Sequence, residues 1–227
     1  MTQYHDDIAP IQTTDASDLR IDQEVIASLV ADGARVLDLG CGDGLLLEYL
    51  INNKNARGFG VEISTQGMHA CIARGLPVYH GDIDQGLSDH TDDTFDYVIL
   101  SQTLQAVRRP RFVIREMLRV GKKIIVSFPN FGHWNIRVQL LLSGRMPKTP
   151  MLPYEWFNTP NIRMCSILDF QDLCRQMEIN IIEQIPLAAW GGLPRSPLKR
   201  HLVRILPRTV SNLLAPVAVF LLEKRKG

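Results

Sequence analysis

Short apolar runs alternate along this chain with stretches in which apolar residues recur every three or four positions. The runs predicted as strands are 36–39, 58–62, 77–80, 96–100, 124–128, 179–184 and 217–223. The stretches with helical spacing are 23–30, 44–51, 65–74, Pro110 to Gly121, and 169–177. Strands that alternate with helices predict a doubly wound α/β fold on a mostly parallel seven-stranded sheet.

The length and composition fit a single domain over residues 1–227. Of the 227 residues, 45% are hydrophobic and 22% are charged, which suffices for a substantial core. The net charge of +1 gives no electrostatic reason to expect a nucleic-acid or membrane partner. The apolar run 213–222 contains Pro216 and is shorter than the about 20 residues of a membrane-spanning helix.

The cysteines and the beginning of the sequence predict a reduced, cytoplasmic protein without a metal site. Cys41, Cys71, Cys165 and Cys174 show neither a C-x-x-C pair nor metal-ligand spacing. No basic segment followed by an apolar run begins the sequence, as a secretory signal would require.

Charge is distributed unevenly between the two ends of the sequence. Residues 1–44 contain nine acidic and two basic residues, whereas 195–227 contain eight basic residues and one acidic residue. The simplest interpretation is two solvated faces that partly neutralise each other. A docking site for an acidic partner, formed by Arg195, Lys199, Arg200 and Arg204, is the alternative.

The stretch 35–47 has the pattern of a buried strand, a tight turn and a helix start. Its turn contains Gly40, Gly42 and Gly44. Glycines let backbone N–H groups and a ligand approach each other closely. Dinucleotide loops have a different glycine spacing and bind a pyrophosphate, which Asp38 and Asp43 would repel. The loop therefore predicts a ligand with positive charge and no phosphate, S-adenosylmethionine, or its demethylated product S-adenosylhomocysteine, which keeps the ammonium group.

Carboxylates at the ends of the next two strands support this prediction. Glu62 lies about 20 residues past the glycine loop, where an acid can accept hydrogen bonds from a ribose diol. Asp82 can accept from the exocyclic amine of adenine. For Asp38 the alternative is a helix-capping role, and for Cys41 it is loop packing. The predicted cofactor-binding residues are Asp38, Gly40, Cys41, Gly42, Gly44, Glu62, Ile63, Asp82, Ile83 and Ser101.

These motifs, Asp38-x-Gly40-x-Gly42-x-Gly44, the strand-end Glu62 and Gly81-Asp82-Ile83, resemble the class I S-adenosylmethionine-dependent methyltransferases with their Rossmann-like fold. Segments 95–106, 124–134 and 156–162 resemble, more specifically, the MetW family of methionine biosynthesis proteins. The resemblance implies a bacterial partner or activator subunit of homoserine O-acyltransferase. It does not imply an established methyl transfer reaction.

The segment 128–165, which we call the cover segment, is rich in proline and aromatic residues. Such a composition predicts an irregular cover over a pocket. A helical part over 134–142 is expected to turn three residues inward, Ile136, Leu140 and Leu141. The aromatic residues Trp134, Trp156 and Phe157 have two open roles, closing the end of the core or contacting a substrate or partner.

No catalytic residue is predicted. His133, Tyr154 and Glu155 are candidates for a general base, although a lone histidine in an aromatic loop is more often structural. Many small-molecule methyltransferases of this family have a histidine shortly after the fourth strand, where this chain has Gln105, which cannot accept a proton. Two hypotheses stay open, a cofactor-binding partner subunit and a methyltransferase acting on an unidentified small molecule.

Overall fold

The computed structural model of the protein describes residues 19–150, 152–187 and 208–225. The helices are α1 (Ile21–Leu29), α2 (Leu45–Lys54), α3 (Thr65–Ala73), α4 (Pro110–Val120), α5 (Trp134–Ser143), α6 (Ile167–Gln176) and α7 (Arg208–Leu214). The strands are β1 (Arg35–Leu39), β2 (Arg57–Glu62), β3 (Val78–His80), β4 (Phe95–Ser101), β5 (Gly121–Pro129), β6 (Ile179–Leu187) and β7 (Val217–Lys224). The basic residues Arg195, Lys199, Arg200 and Arg204 lie outside the described residues.

The seven strands form one sheet in the order β3-β2-β1-β4-β5-β7-β6. Strands β1 to β5 pair in parallel, and β7 runs antiparallel to both of its neighbours. The predicted mostly parallel seven-stranded α/β fold is therefore confirmed. The strand order reverses between β1 and β4, and doubly wound sheets bind ligands in the crevice at that point, beyond the carboxyl ends of the strands.

Helices cover both faces of the sheet. On one face, α4 and α6 contribute Met117 and Phe170 to a core shared with β4, β5 and β7. On the other face, α1 and α2 contribute Ile26 and Leu50. Because both faces are covered, the central strands are buried along nearly their whole length, as their continuous apolar runs predict. In the described part of the chain, no helix has the length and apolar character needed to cross a membrane.

The structure departs from the predicted elements at the end of β6 and after β3. Strand β6 continues to Leu187, beyond the predicted end at 184, because it pairs with β7 as far as Val217. A short 3₁₀ helix, Ile83–Gln85, follows β3 and was not predicted. It begins where the Asp82 carboxylate accepts a hydrogen bond from the Asp84 N–H at 2.9 Å.

Helix α5 confirms the helix predicted in the cover segment but not its orientation. Ile136 is buried as expected, whereas Leu140 and Leu141 are 49% and 82% exposed, so their predicted inward placement is wrong. The physical reason is that only the N-terminal part of α5 contacts the core. All residues in 140–146 are exposed.

Candidate functional site

The turn after β1 places its three glycines in the left-handed backbone region, with φ of 68° at Gly40, 59° at Gly42 and 79° at Gly44. Side chains with a Cβ are strained there. The Gly40 N–H donates to the Val61 carbonyl at 2.7 Å, which ties the loop to β2. A Cβ on Gly44 would lie 2.5 Å from Leu76 Cδ1, whereas a Cβ on Gly42 would meet no atom within 4 Å. Gly44 is therefore required by packing, and Gly42 borders open space that a ligand can enter.

Glu62 connects the glycine loop to the turn that follows β2. Its Oε2 accepts a hydrogen bond from the Gly42 N–H and its Oε1 accepts one from the Ser64 N–H, both at 2.8 Å. The side chain is buried. A carboxylate can accept about four hydrogen bonds, so two remain for donors such as ribose hydroxyls. Glu62 thus shapes the loop and also presents an acceptor beside it.

Asp38 is a buried carboxylate whose hydrogen-bonding capacity is unfilled. Among the described residues, its Oδ1 has no hydrogen-bond partner. Burial raises the pKa of Asp38 to about 7, although the Arg20 guanidinium acts in the opposite direction. The N-cap of α2 is Gly44, without a side-chain cap, and the first N–H of the helix, that of Leu45, donates to Asp43 Oδ1 at 3.2 Å. A buried oxygen without a donor is unfavourable unless a ligand supplies one, and an ammonium group would do so.

A polar network at the start of α1 adjoins Asp38 and was not predicted. The buried Asp22 carboxylate accepts hydrogen bonds from Ser101 Oγ at 3.2 Å and Ser127 Oγ at 3.0 Å. Arg20 Nε donates to the same carboxylate at 3.1 Å, and Arg20 Nη2 donates to Ser101 Oγ at 3.0 Å. The Ser101 hydroxyl, predicted to contact the cofactor, is engaged in this network. The network holds a half-exposed guanidinium near Asp38.

Asp82, predicted to accept from the adenine amine, and the predicted cofactor-binding residues Ile63 and Ile83 follow the ends of β2 and β3. The Gly81 N–H donates to the Glu62 carbonyl at 3.0 Å, which brings the two strand ends together. Ile63 is an exposed apolar residue directly after β2, and Ile83 packs against the core. The Asp82 Oδ1 accepts from the Asp84 N–H at 2.9 Å and its Oδ2 lies 3.8 Å from Arg108 Nη2, so an adenine amine would share this carboxylate with both groups.

Cys41 fills the space between the glycine loop and α3. Its Sγ lies 3.7 Å from Cys71 Sγ, and both residues are buried free cysteines. A Cβ on Gly60 would lie only 2.6 Å from Cys41 Sγ. These contacts support the packing role considered for Cys41. Its backbone is also bonded within the protein, because the Cys41 N–H donates to the Val61 carbonyl at 3.2 Å and the Cys41 carbonyl accepts from the Gly44 N–H at 3.0 Å.

Two of the three side chains considered as general bases, His133 and Glu155, have partners outside the glycine loop. His133 is buried at the start of α5, and its Nδ1 accepts from the Asn135 N–H at 3.3 Å. Burial lowers the pKa of His133. Glu155 forms an ion pair with Lys148, and Tyr154 is half exposed. These contacts account for His133 and Glu155 without a proton-transfer role, so no catalytic residue is assigned.

Asn130 anchors the beginning of the cover segment, a role that the sequence did not indicate. Its buried amide donates to the carbonyls of Asn212 and Ala215 at 2.8 and 2.6 Å. Its Oδ1 accepts from the N–H groups of Gly132 and Ile167 at 2.9 and 3.2 Å. One side chain thus joins the end of β5 to α6 and to the turn between α7 and β7.

The turn after β4 carries two buried polar atoms without hydrogen-bond partners among the described residues, Gln102 Nε2 and Gln105 Oε1. Gln102 also has a positive φ of 53°, which is uncommon for a residue with a long side chain. The Gln105 carbonyl accepts from the N–H groups of Ile162 and Arg163 at 2.9 and 2.8 Å. This turn therefore connects the end of β4 to the end of the cover segment.

The aromatic residues of the cover segment do not close the end of the core. Trp156 and Phe157 are 73% and 70% exposed, and Trp134 is half exposed. Of the two roles considered for them, contact with a substrate or partner agrees with this placement.

Comparisons with known proteins agree with this geometry. The chain is similar to the bifunctional methionine biosynthesis protein MetXA/MetW of Rhodopirellula baltica, with 40% identity over 176 residues. The match covers 74% of this chain and 28% of that protein, so the chain spans under a third of the length of this relative.

Two solved structures share the fold. The first comes from a complex between a Haloferax volcanii Trm112 methyltransferase activator and a methyltransferase. It matches with a TM-score of 0.63 and 18% identity, and the match covers 90% of this chain and 89% of that chain. The second is an S-adenosylmethionine-dependent methyltransferase of Thermotoga maritima, with a TM-score of 0.59, 18% identity and coverage of 89% and 87%.

The family model of methionine biosynthesis protein MetW matches residues 20–222, nearly the whole chain. The match includes the glycine loop, the strand-end acids and the cover segment. The chain therefore belongs to the MetW family of methionine biosynthesis proteins.

Proposed function

We propose that this protein binds S-adenosylmethionine or S-adenosylhomocysteine at the glycine loop and acts in the cytoplasm as an activating partner of homoserine O-acyltransferase. The observation that carries the ligand proposal is the buried, unpartnered Asp38 Oδ1 on the strand that leads into the glycine loop, where Gly42 borders open space. S-adenosylmethionine is an end product of methionine synthesis. A partner that binds it can report its level to an early enzyme of the pathway.

The residues around the loop match the chemical groups of this ligand one by one. Asp38 would accept from the ammonium group, and the Arg20 guanidinium would receive the carboxylate. Glu62 would accept from the ribose hydroxyls, and Asp82 from the adenine amine, with Ile63 against the ring. When bound, S-adenosylmethionine supplies a methyl group on a sulfonium. The role proposed for these side chains is binding and orientation.

The partner proposal rests on the family and on the fused relative. Membership of the MetW family implies a link with homoserine O-acyltransferase, and MetXA and MetW share one chain in the relative from Rhodopirellula baltica. Covalent fusion keeps two proteins at a high effective concentration, which favours pairs that act together.

The test is an acyltransferase assay with separately purified proteins. The enzyme from the same organism is assayed alone, with this protein, and with this protein plus S-adenosylmethionine. Calorimetry measures ligand binding to this protein in parallel. We expect binding, a higher acyltransferase rate in the presence of the protein, and a further change on adding the ligand. An acyltransferase rate that is the same with and without this protein would contradict the partner role.

A small-molecule methyltransferase is the second candidate. The unpartnered amide atoms of Gln102 and Gln105 favour it, because they lie after β4 at the edge where a methyl acceptor would approach. Formation of S-adenosylhomocysteine from S-adenosylmethionine by this protein alone, dependent on an added small molecule, would establish this activity.

A further inference from the structure

We propose that an exposed apolar surface on α5 and the loop after it is the docking site for the homoserine O-acyltransferase. We call it the α5 surface. It consists of Trp134, Val138, Leu141, Leu142, Met146, Trp156 and Phe157. This inference rests on the proposed function and adds the place of contact, which neither the family match nor the fused relative gives.

The helix presents its main apolar stripe to solvent. Trp134 and Val138 are four residues apart, and Leu141 and Leu142 follow at the next turn, the spacing of a helix face that normally packs on a core. Here Leu141 and Leu142 are 82% and 80% exposed. Ile136 points the other way and is the buried residue of this helix. The sequence of α5 therefore provides a packing face that the described fold does not cover.

The loop after α5 extends this face with aromatic side chains. Met146, Tyr154 and Trp156 line one small groove within this loop. The rings of Trp156 and Phe157 lie edge to face, with centroids 5.7 Å apart. Tryptophan, tyrosine, phenylalanine and methionine are the residue types most enriched at protein interfaces.

The size of the α5 surface suits a stable protein partner. Aromatic side chains bury about 150–250 Å² each, so the exposed portions of these residues together offer on the order of 800 Å². The largest apolar patch on an ordinary monomer is about 300–600 Å². One side of a typical specific interface buries about 800 Å². The summed exposed area of these residues is therefore comparable with one side of such an interface.

The fused relative favours the acyltransferase as the occupant. In that protein the part similar to this chain is 28% of the whole, and its name pairs MetXA with MetW. A chain that carries both functions keeps the two units within reach of each other throughout. A second copy of this chain would cover the same residues, and the experiment separates the two cases by oligomeric state.

The experiment measures association of the full chain with the purified acyltransferase by calorimetry and analytical ultracentrifugation. Two double variants remove the surface, Leu141→Ser with Leu142→Ser, and Trp156→Ala with Phe157→Ala. The matched control is Ile72→Ser with Ile182→Ser, because both isoleucines are exposed and lie elsewhere, on α3 and β6. We expect each surface variant to weaken association with the acyltransferase at least tenfold. The control variant should associate as the unaltered chain does, and all variants should bind S-adenosylmethionine with unchanged affinity.

The outcomes separate this inference from the proposed function. If the unaltered chain associates and both surface variants associate equally well, the docking site lies elsewhere and the partner role stands. If the surface variants instead convert a dimer of this chain into a monomer without changing acyltransferase binding, the α5 surface is a self-association site and the inference is wrong. If the unaltered chain does not associate, both proposals fail.

Discussion

The glycine loop and the α5 surface place their side chains in opposite ways. At the loop, Asp38 and Glu62 are carboxylates turned inward and buried, and Asp38 has an oxygen without a partner. On α5, Leu141 and Leu142 are apolar side chains turned outward into solvent. A buried polar group and a large exposed apolar patch are the two departures from ordinary folding that indicate function. In the functions proposed above, the first region would bind the ammonium group of a ligand and the second would bind an apolar protein surface.

Substitutions in the two regions should therefore affect different properties of the protein. A change at the loop should remove the response to ligand while leaving association intact. A change on α5 should remove association while leaving ligand binding intact. The predictions below test this separation, beginning with the largest expected effect.

Gly42→Asn should reduce affinity for S-adenosylmethionine at least 100-fold, about 2.7 kcal/mol. Asparagine tolerates a positive φ better than most residues, and its side chain would occupy the open space beside the loop. Gly75→Asn is the matched control, because Gly75 has a φ of 71° and a Cβ there also meets no atom within 4 Å. Calorimetry gives the affinities, and thermal unfolding verifies the fold of both variants. Equal binding by the two variants would show that the loop does not contact the ligand.

Asp38→Asn should weaken ligand binding by about 1.5–3 kcal/mol, the usual contribution of a hydrogen bond to a charged group. The same change should stabilise the ligand-free protein at pH 8 by about 1–3 kcal/mol, because it removes a buried charge. Urea unfolding without ligand measures the second effect. A variant that loses both stability and binding would mean that Asp38 is a structural residue.

The pH dependence of that stability difference follows from the raised pKa of Asp38. Its usual value is 3.8, and its value in the folded protein is about 7. The folded state favours the protonated acid, so the stability that protonation gives is complete below pH 3.8 and is lost as the pH rises through 7. The advantage of Asp38→Asn should therefore be largest above pH 7 and shrink as the pH falls towards 4.

Ligand affinity should fall as the pH is lowered below 7, by up to about tenfold per pH unit. The ammonium group of the ligand binds the ionised form of Asp38. Below pH 7 Asp38 is mostly protonated and must lose its proton before the ligand binds. Asp38→Asn should show no such dependence between pH 5 and pH 7. Calorimetry with S-adenosylhomocysteine provides the measurement. If the affinity of the unaltered protein does not change between pH 5 and pH 7, Asp38 is not the ammonium-binding group.

Leu141→Ser should change the free energy of unfolding by less than about 0.5 kcal/mol, because the side chain is exposed. Ile136→Ala on the same helix should cost about 2–4 kcal/mol, because Ile136 is buried. Chemical unfolding of both variants compares the two faces of α5. A large loss for Leu141→Ser would mean that the fold itself covers this face.

The local parts of the fold and site could be predicted from the sequence. The alternation of strands and helices, the glycine loop after β1 and the carboxylates at the strand ends each depend on a few neighbouring residues. Asp38 and Glu62 lie where the pattern placed them, because parallel strands end at the same edge of the sheet.

The features of the site and of α5 that the sequence did not predict depend on contacts between distant residues. The Asp22 carboxylate binds serines 79 and 105 residues away, and no local pattern indicates that pairing. Helix α5 has a recognisable period, but the period does not say which face meets the core. Asn130 fixes the turn that precedes α5, and Ile136 packs inward from the first part of the helix. Leu141 and Leu142 lie on the opposite side and therefore face solvent.

The separation of ligand binding from partner binding is the central claim, and one titration tests it most directly. The acyltransferase rate is measured against S-adenosylmethionine concentration with the unaltered protein and with Gly42→Asn, both at concentrations that saturate association. We predict that the unaltered protein changes the rate as the ligand is added, and that Gly42→Asn associates equally well but gives a flat curve. Identical curves for the two proteins would contradict the claim.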